Sequence, residues 1–378
     1  MASLAKARTM TSSIAFRHLP HPRPTAPASR DAALTDPGFG KIFSDHMVSI
    51  EFTRGRGWHS ATLGPREPIA LDPACAVLHY AQEIFEGMKA YRLDDGAMAL
   101  FRPTENAKRF NVSALRMAMP EFPEALFVES VKALVRVDAD WFPGVEGGSI
   151  YLRPFMFASE ARLGVRPSRE YLFLVIASPV GGYFKADAKA LSLWVSDDYV
   201  RAAPGGTGAA KTGGNYAASL IAQQQSIDMG CDQIVFLDAV ERRWVEELGG
   251  MNLFFVFDDG SIQTPPLGGT ILPGITRDAV ITLARDDGLT VREQPYAIDQ
   301  WRADAQSGRL TESFACGTAA VVTPVGTVAG AEGGPAAGGF TIGSGGPGQV
   351  TMKLRQRLLD IQRGHAPDPH DWVERIDN

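Results

Sequence analysis

The sequence predicts a two-domain α/β protein with mixed helices and strands. Its 378 residues exceed the roughly 250–300 residues at which a single hydrophobic core stops growing. Strand-length apolar runs alternate with segments of helical spacing in both halves. A glycine-containing stretch over 181–190 separates the halves like a linker. We therefore expect a smaller N-terminal α/β domain over 35–180 and a larger domain over 191–378, preceded by a flexible tail over 1–34.

Composition and charge exclude several classes of protein. The hydrophobic content of 45% and charged content of 21% are ordinary for a globular chain. A net charge of -6 provides no basic field for nucleic acid or an acidic membrane. No apolar run approaches the roughly 20 residues that span a bilayer. Three widely spaced cysteines predict no disulfide framework and no metal site, which favours a reducing compartment such as the cytoplasm.

The first thirty residues are rich in arginine and contain no acid before Asp31. Such a start is typical of a mitochondrial transit peptide. Four prolines between Pro20 and Pro27 oppose the continuous amphipathic helix that a transit peptide needs. We therefore favour an N-terminal tail over a targeting segment, and the lack of an apolar core segment opposes secretion.

The N-terminal half reads as strands followed by helices. A strand pattern over 43–58 ends in a turn at 54–57, and the apolar run 76–80 is read as a further strand. Asp94, Asp95 and Gly96 predict a hairpin between 88–92 and 97–101. Thr104 is expected to cap a helix, and a second helix is expected over 125–141. Buried strands are expected over 150–157 and 171–177.

The C-terminal half begins with a strand over 191–195 and a small-residue loop that ends at Tyr216. A helix over 216–229, closed by Gly230, and a strand over 233–237 follow. A second hairpin is expected around 258–260, then a helix over 275–285 closed by Gly288. A glycine-rich hairpin and loop over 326–348 precede a last helix over 352–363.

Lys211 is the centre of the functional argument. It lies between two glycine pairs, 205–206 and 213–214, which let the backbone bend tightly and approach a ligand. A lysine held there could form a Schiff base, although a solvated loop lysine has the same local pattern. Residues 205–212 also approach the phosphate-binding pattern G-x-x-x-x-G-K-[ST]. Ala210 replaces its required glycine, and two glycines after Thr212 are a poor start for a helix.

Three other segments could bind a charged ligand. Glu246 and Glu247 enter an apolar strand, which is costly unless a cation meets them. That cation could be a pyridinium nitrogen, or a neighbouring arginine such as Arg242 or Arg243. The segment 272–277 opens a helix, whose free amides bind anions. The segment 314–320 is a small-residue turn that could present amides and a hydroxyl.

Together these motifs resemble the branched-chain amino acid aminotransferases, which are fold-type IV pyridoxal-phosphate enzymes. The resemblance covers about 39–372, and it looks closest to the actinobacterial members. The motifs that carry it, in order, are Phe85-Glu86-Gly87-Met88-Lys89, Tyr151-Leu152-Arg153-Pro154, Lys211-Thr212-Gly213-Gly214-Asn215-Tyr216, Glu247-Leu248-Gly249-Gly250-Met251-Asn252, Leu272-Pro273-Gly274-Ile275-Thr276-Arg277 and Gly317-Thr318-Ala319-Ala320.

The resemblance implies a cofactor, pyridoxal 5'-phosphate, and roles for individual residues. Lys211 is expected to form the Schiff base with it and to shuttle a proton. Glu247 is expected to pair with the pyridine nitrogen, and Tyr216 to contact the phenolic oxygen. The phosphate is expected to contact Arg109, Ile275, Thr276 and Thr318. Arg109 lies off the apolar stripe of its helix, so the pattern alone indicates a solvated charge.

The resemblance also implies a substrate pocket that takes an isobutyl group or a second carboxylate. The amides of Thr318 and Ala319, together with Tyr216, are expected to bind the substrate carboxylate. Arg153 is expected to meet the side-chain carboxylate of glutamate, since an arginine among aromatic walls can serve both substrates. The walls are expected to come from Phe43, Tyr80, Phe85, Tyr151, Val165 and Tyr183.

The implied reaction is reversible transfer of the amino group of leucine, isoleucine or valine to 2-oxoglutarate. A homodimer is implied as well, because Tyr80 in this fold reaches toward the partner's site. D-amino acid transaminases and aminodeoxychorismate lyases share the lysine and glutamate, and a non-catalytic nucleotide-binding protein is a more distant alternative. The chain departs from some relatives at Gly250, where many have threonine. At Ala320 and Thr323 some eukaryotic members carry a redox cysteine pair.

Overall fold

Two nine-stranded sheets organise the part of the chain that the structure describes, residues 14–181, 189–334 and 336–377 of a computed structural model. In chain order the strands are β1 (Arg17–His18), β2 (His46–Thr53), β3 (Gly57–Pro65), β4 (Glu83–Phe85), β5 (Met88–Arg92), β6 (Met98–Phe101), β7 (Ser149–Ala158), β8 (Glu170–Val180), β9 (Leu191–Val195), β10 (Gln233–Leu237), β11 (Val245–Leu248), β12 (Asn252–Phe257), β13 (Ile262–Thr264), β14 (Val291–Glu293), β15 (Leu310–Gly317), β16 (Val321–Ala329), β17 (Phe340–Thr341) and β18 (Val373–Ile376).

The helices lie against the faces of these sheets. They are α1 (Pro27–Leu34), α2 (Ala76–Tyr80), α3 (Pro103–Arg116), α4 (Glu124–Val137), α5 (Gly213–Asp228), α6 (Ile275–Asp286), α7 (Ile298–Ser307) and α8 (Gln349–Arg363), with a 3₁₀ turn at Ala139–Trp141. Within the described ranges no helix combines the length and apolarity that crossing a bilayer requires.

The first sheet has the strand order β1-β3-β2-β8-β7-β5-β6-β18, with β4 paired to β7. Its long central strands β7 and β8 are antiparallel over ten residue pairs, which gives the site a rigid base. The C-terminal strand β18 returns to this sheet and pairs with β6. Residues 373–376 of the predicted larger domain thus pair with the N-terminal sheet and not with the sheet of 191–341.

The second sheet has the order β11-β10-β9-β16-β15-β12-β13-β14, with β17 paired to β16. An additional pairing between Glu247 and Asn252 joins β11 to β12. This contact closes six strands into a ring, so the end of β11 faces the turn between β15 and β16. The change of sheet falls between Val180 and Leu191, where the linker was predicted; residues 182–188 lie outside the described residues.

Aromatic side chains fill the core between the first sheet and helices α3 and α4. Phe173 on β8 is fully buried and lies at the centre of this cluster. Its ring centroid is 4.0 Å from that of Phe122 in a stacked arrangement and 5.7 Å from that of Phe110. Burial of such large rings is the main favourable contribution to packing.

Most elements lie where the sequence predicts them. The hairpins around 94–96 and 258–260 are confirmed, as are β9 and β10 with their predicted bounds. Helix α6 begins at the predicted Ile275 and is followed by Gly288 at a φ of 79°, a left-handed conformation that glycine adopts without strain.

Several local predictions were wrong. The run 76–80 is helix α2 and not a strand, since short apolar runs do not distinguish the two by periodicity. Thr104 does not cap α3, which begins at Pro103 after Arg102 in a left-handed conformation. The helix expected over 125–141 ends at Val137. Residues 14–34, expected to be a flexible tail, contain β1 and α1, and the Thr25 hydroxyl donates to Asp45 at 2.6 Å.

Replacement of Phe173 by alanine should lower the free energy of unfolding by about 3–5 kcal/mol, because it opens a cavity that three other aromatic rings cannot fill. The measurement is chemical denaturation of the purified variant. Val240→Ala serves as the control, since Val240 is 75% exposed and should change stability little. A Phe173 variant as stable as the control would contradict the described core.

Candidate active site

The backbone around Lys211 is fixed by contacts with the first sheet and α3. The Lys211 amide donates to Ser113 Oγ at 2.9 Å, and its carbonyl accepts from the Phe85 amide at 3.0 Å. The Gly213 amide donates to Glu83 Oε1 at 2.6 Å. A Cβ on Gly213 would lie 1.8 Å from that same oxygen, so a larger residue would displace the Glu83 carboxylate and break this contact. The lysine is therefore held at the junction of the two sheets, on a short segment before α5.

The side chain of Lys211 lies in a buried aromatic setting. Its Nζ donates to the Tyr216 hydroxyl at 2.7 Å and lies 4.7 Å from the centroid of the Phe85 ring. Burial, and next the nearby Arg109 guanidinium, lower the pKa of the Lys211 amine to about 8. Burial raises the pKa of Tyr216 to about 12. A neutral amine is a nucleophile and a base, so this lysine suits covalent and proton-transfer chemistry near neutral pH.

Alternate positions of β7 place Tyr151 and Arg153 on one face of the sheet, beside the lysine. Arg153 Nη2 donates to the Tyr151 hydroxyl at 3.0 Å, and its guanidinium carbon lies 4.7 Å from the Phe85 ring centroid. A Cβ on Gly87 would lie 2.1 Å from the Tyr151 hydroxyl, so the glycine of that motif makes room for the phenol. Phe39 packs edge-on against Tyr151 at 5.0 Å.

Glu247 is buried and bound from several sides. Its Oε1 lies 2.9 Å from Arg201 Nη1 and accepts from the Leu272 amide at 2.8 Å. Asn252 Nδ2 donates to its Oε2 at 3.3 Å. Burial raises the pKa of Glu247 to about 7, although the Arg201 guanidinium opposes that shift. The acid can therefore hold or release a proton near neutral pH.

The cation that meets Glu247 within the chain is Arg201. The sequence offered Arg242 or Arg243 for this contact, and the structure corrects that expectation. Arg242 donates to the Asp197 carbonyl, and Arg243 lies over the ring of Trp244. The partner of Glu247 is not a sequence neighbour. Arg201 lies in the loop after β9, and the fold brings it to β11 from a distant part of the chain.

Glu246 has a different environment from that of its neighbour. Its Oε1 accepts from the Thr270 hydroxyl at 2.5 Å, and its Oε2 has no hydrogen-bond partner among the described residues. Burial raises the pKa of Glu246. Consecutive strand residues point to opposite faces, so one carboxylate faces Arg201 while the other faces the Thr270 loop.

Arg109 is buried and not solvated as its helical position alone indicates. Its Nε and Nη2 donate to the two oxygens of Glu86, each at 2.8 Å, and Nη1 donates to the Pro273 carbonyl at 3.0 Å. Burial acts to raise the pKa of Glu86, but Arg109 holds it below its usual value. This bidentate pair places a guanidinium beside the start of α6, where an anion could also reach it.

The start of α6 and the turn after β15 share one cavity. Ile275 and Thr276 line it from the helix, and Gly317 and Thr318 line it from the turn. The first amides of a helix have no partner within the helix, and they attract negative charge. The cavity therefore brings together two segments that the sequence analysis singled out as anion sites.

The other residues predicted for the pocket have surroundings of their own. Phe43 has the Arg66 guanidinium over its ring at 5.1 Å. Tyr80 donates its hydroxyl to the Leu163 carbonyl, and Val165 is 86% exposed. A side chain this exposed makes few contacts within its own chain, so the role of Val165 in a substrate pocket stays a prediction. Tyr183 lies outside the described residues.

Sequence reasoning missed several residues that shape the site. Glu83 binds the amide that follows the lysine segment, and Arg201 binds Glu247. Glu86 was quoted only as part of a motif, and Phe39 only as the start of a matching range. Two sequence features could have indicated them. Arg201 directly precedes the small-residue loop, and Glu83 lies two residues before Phe85.

A nucleotide-binding loop does not fit this geometry. Helix α5 does begin at Gly213, directly after Thr212, although the glycines were expected to be a poor helix start. However, its first amide is bound to the Glu83 carboxylate, and the Thr212 hydroxyl donates to the Glu83 carbonyl at 2.7 Å. The chain's own acid thus lies where a P-loop holds phosphate, which opposes that interpretation.

The donor set fits a flat anionic cofactor that carries a carbonyl group. Lys211 supplies a buried amine, and Tyr216 contacts that amine. Glu247 supplies an acid with a raised pKa for a ring nitrogen. The α6 start and Arg109 supply donors for a phosphate. These groups lie on different elements, yet they are close enough for Arg109 to lower the pKa of Lys211 and for Lys211 to oppose the rise in the pKa of Glu247.

Comparisons with known proteins identify one family. The Amino-transferase class IV family matches residues 83–328. A probable branched-chain-amino-acid aminotransferase of Streptomyces coelicolor is 56% identical over 360 residues, covering 94% of this chain and 97% of the relative. The branched-chain-amino-acid aminotransferase of Mycobacterium tuberculosis strain H37Rv is 54% identical over 372 residues, covering 97% of this chain and 100% of the relative.

Solved structures give the same result. The T.th. branched-chain amino acid aminotransferase with pyridoxamine 5'-phosphate is 30% identical, with a TM-score of 0.71 over 87% of this chain and 99% of that chain. The Escherichia coli branched-chain amino acid aminotransferase is 29% identical, with a TM-score of 0.72 over 88% and 99%. The predicted fold class is confirmed, and the chain belongs to the class IV amino-transferase family.

Proposed function

We propose that the protein is a branched-chain amino acid aminotransferase that transfers the amino group of leucine, isoleucine or valine to 2-oxoglutarate. The observation that carries the proposal is the Lys211 amine, which lies 2.7 Å from the Tyr216 hydroxyl beside a pocket of aromatic rings and one arginine. Relatives at 54–56% identity over nearly the whole chain bear that activity in their names.

The cofactor is pyridoxal 5'-phosphate, supported by the donor set and by a related structure that contains pyridoxamine 5'-phosphate. When bound, it supplies a carbonyl group that takes up the amino group and a conjugated ring that accepts electron density from the substrate Cα. Lys211 is its attachment point. Arg109, Thr318 and the amides of Ile275 and Thr276 are assigned to its phosphate.

Glu247 holds a proton at the ring nitrogen in this proposal. Arg201 and the Leu272 amide orient the carboxylate, and burial raises its pKa to about 7, so proton sharing with a basic nitrogen is favoured. Tyr216 donates toward the phenolic oxygen. Lys211 Nζ, once released by the incoming substrate, moves the proton from the substrate Cα to the cofactor carbon.

One pocket serves two kinds of side chain. Phe85 and Tyr151 provide apolar ring surface for an isobutyl group, while the Arg153 guanidinium lies against those rings with its Nη2 on the Tyr151 hydroxyl. A guanidinium so placed can meet the second carboxylate of glutamate without a large rearrangement. The amides of Thr318 and Ala319 are assigned to the carboxylate that all substrates share.

The active assembly is proposed to be a homodimer. The Tyr80 hydroxyl donates to the Leu163 carbonyl, and the side chains of Tyr80, Leu163 and Val165 are all exposed. These are apolar side chains that the single chain leaves in water, and a second copy would cover them. In that arrangement Tyr80 and Val165 complete the pocket of the partner. The cytoplasm remains the location predicted from the cysteine pattern.

Replacement of Lys211 by alanine should abolish the visible absorbance of lysine-bound cofactor and nearly all turnover. The reason is that no other amine would occupy the attachment position. Lys353→Ala is the matched control, because that side chain is 66% exposed and pairs with Asp287 on the surface. A borohydride-stable link to another lysine in the Lys211 variant would show that the attachment point is misplaced.

Glu247→Gln should slow the chemical step by about 10²–10⁴, the range typical of a misprotonated acid–base group, while the cofactor stays bound. The amide keeps the shape but cannot hold the ring nitrogen protonated, and it leaves Arg201 without its counter-ion. Glu246→Gln is the control and should do far less, because Glu246 faces Thr270. Single-turnover kinetics make the measurement, and equal damage from both variants would contradict the assignment.

A panel of amino donors tests the substrate class. Each buried CH₂ contributes about 0.8 kcal/mol, so leucine, with three more carbons than alanine, should gain roughly 60-fold in kcat/KM. Arg153→Met should lose activity with glutamate while retaining the half-reaction with leucine. The branched-chain proposal fails if alanine or a D-amino acid is the best donor of the wild-type protein.

A further inference from the structure

The turn between β15 and β16 holds an unfavourable backbone conformation. Residues 318–320 connect Gly317 to Val321, which pair with each other across the hairpin. Val321 has a φ of 59°, in the left-handed region that β-branched residues ordinarily avoid. Glycine is the usual residue where a hairpin turn requires a left-handed conformation. Such strain persists only where the surroundings impose it, and it is concentrated at functional sites.

Polar side chains bind the carbonyl groups of this turn from one side. Lys89 Nζ donates to the Ala319 carbonyl at 2.9 Å. Arg355 Nη1 donates to the Val322 carbonyl at 2.7 Å and approaches that of Ala320 at 3.4 Å. Two cations from β5 and α8 therefore fix the carbonyl groups on both sides of the strained residue.

Lys89 is unusual for a buried lysine. Its side chain is 8% exposed, and no carboxylate lies within ion-pair distance of it among the described residues. Burial, and then repulsion from Arg363 and Arg355, lower the pKa of Lys89 to about 7. Lys89 lines the same cavity as Thr318 and the start of α6. Burial of an amine that has no counter-ion is costly and disfavours its charged form, so its position calls for a functional reason.

We propose that Lys89 is a positioning residue for recognition of the substrate carboxylate. By holding the Ala319 carbonyl, it keeps the 318–321 turn in its strained conformation, in which the amides of Thr318 and Ala319 are presented to the carboxylate. The inference rests on the proposed function, which assigns those amides to the carboxylate. Lys89 itself touches neither substrate nor cofactor in this account.

The strain at Val321 favours a change in the backbone conformation of the turn, and this property allows the role of Lys89 to be tested. Without the Lys89 contact, Val321 can return to a negative φ, and the peptide planes that carry the two amides rotate. A glycine at position 321 has no such preference, since it adopts the left-handed conformation as readily as the right-handed one. The effect of losing Lys89 should therefore depend on the residue at 321.

The experiment measures binding of 4-methylpentanoate and of 4-methylpentan-1-ol to the cofactor-loaded protein by competition and cofactor absorbance. In Lys89→Met the dissociation constant of the acid should rise about tenfold, which corresponds to one hydrogen bond to a charged group, while that of the alcohol stays unchanged. KM for leucine and for 2-oxoglutarate should rise together, with kcat much less affected. Lys353→Met is the matched control on the surface.

The double variant Lys89→Met with Val321→Gly should recover most of the lost affinity for the acid. Unchanged binding of the acid in Lys89→Met overturns the proposal. A loss that glycine does not restore also overturns it, because Lys89 would then act as a direct charge. If Lys89→Met does not retain cofactor, Lys89→Arg and Lys89→Gln replace it. Lys89→Arg should then bind the acid like wild type, and Lys89→Gln should bind it more weakly. The same result for both overturns the proposal.

Failure of the proposed function gives a separate result. In that case the wild-type protein itself neither binds 4-methylpentanoate nor accepts leucine, whatever residue occupies position 89. A wild-type protein that does both, together with a Lys89 variant indistinguishable from it, rejects the positioning role alone.

Discussion

The buried ion pair between Arg109 and Glu86 is the contact on which the rest of the site depends. It ties helix α3 to the segment that follows β4, and through the Pro273 carbonyl it ties both to the start of α6. The Glu86 amide is itself bound to the Pro154 carbonyl of β7. One guanidinium therefore joins α3, the segment after β4 and the loop that leads into α6. A buried pair of this kind adds little net stability, but removing either partner leaves a costly unpaired charge.

A second ion pair, Arg201 with Glu247, is also buried. Both pairs are almost wholly removed from solvent. The Lys211 amine near them has its charge disfavoured by burial and by nearby arginine, so it is neutral closer to physiological pH than a surface lysine. The carboxylate of one pair keeps a depressed pKa while that of the other is raised. Similar acids thus acquire different protonation behaviour from their surroundings.

Sequence patterns alone were enough to predict the fold class, the hairpins, the bounds of β9 and β10, and the family motifs. These features depend on local rules. Turn residues such as Gly96 and Gly260 require a particular φ, strand patterns repeat every second residue, and six motifs in order identify a family. The sequence failed where local signals are ambiguous, as at the short helix α2, or where order comes from distant contacts, as with α1 in the expected tail.

Which charged side chains contact each other depends on tertiary contacts and could not be predicted from the sequence. Arg109 has the pattern of a solvated residue, Arg201 lies far from Glu247 in the chain, and Lys89 has no local sign of burial. Electrostatic partners are set by the packing of separate elements, and helical or strand periodicity carries no information about what lies opposite. The positive φ of Val321 could not be predicted from the sequence either, because the local preference of valine is for a negative φ. Only contacts from β5 and α8 explain how the turn keeps that conformation.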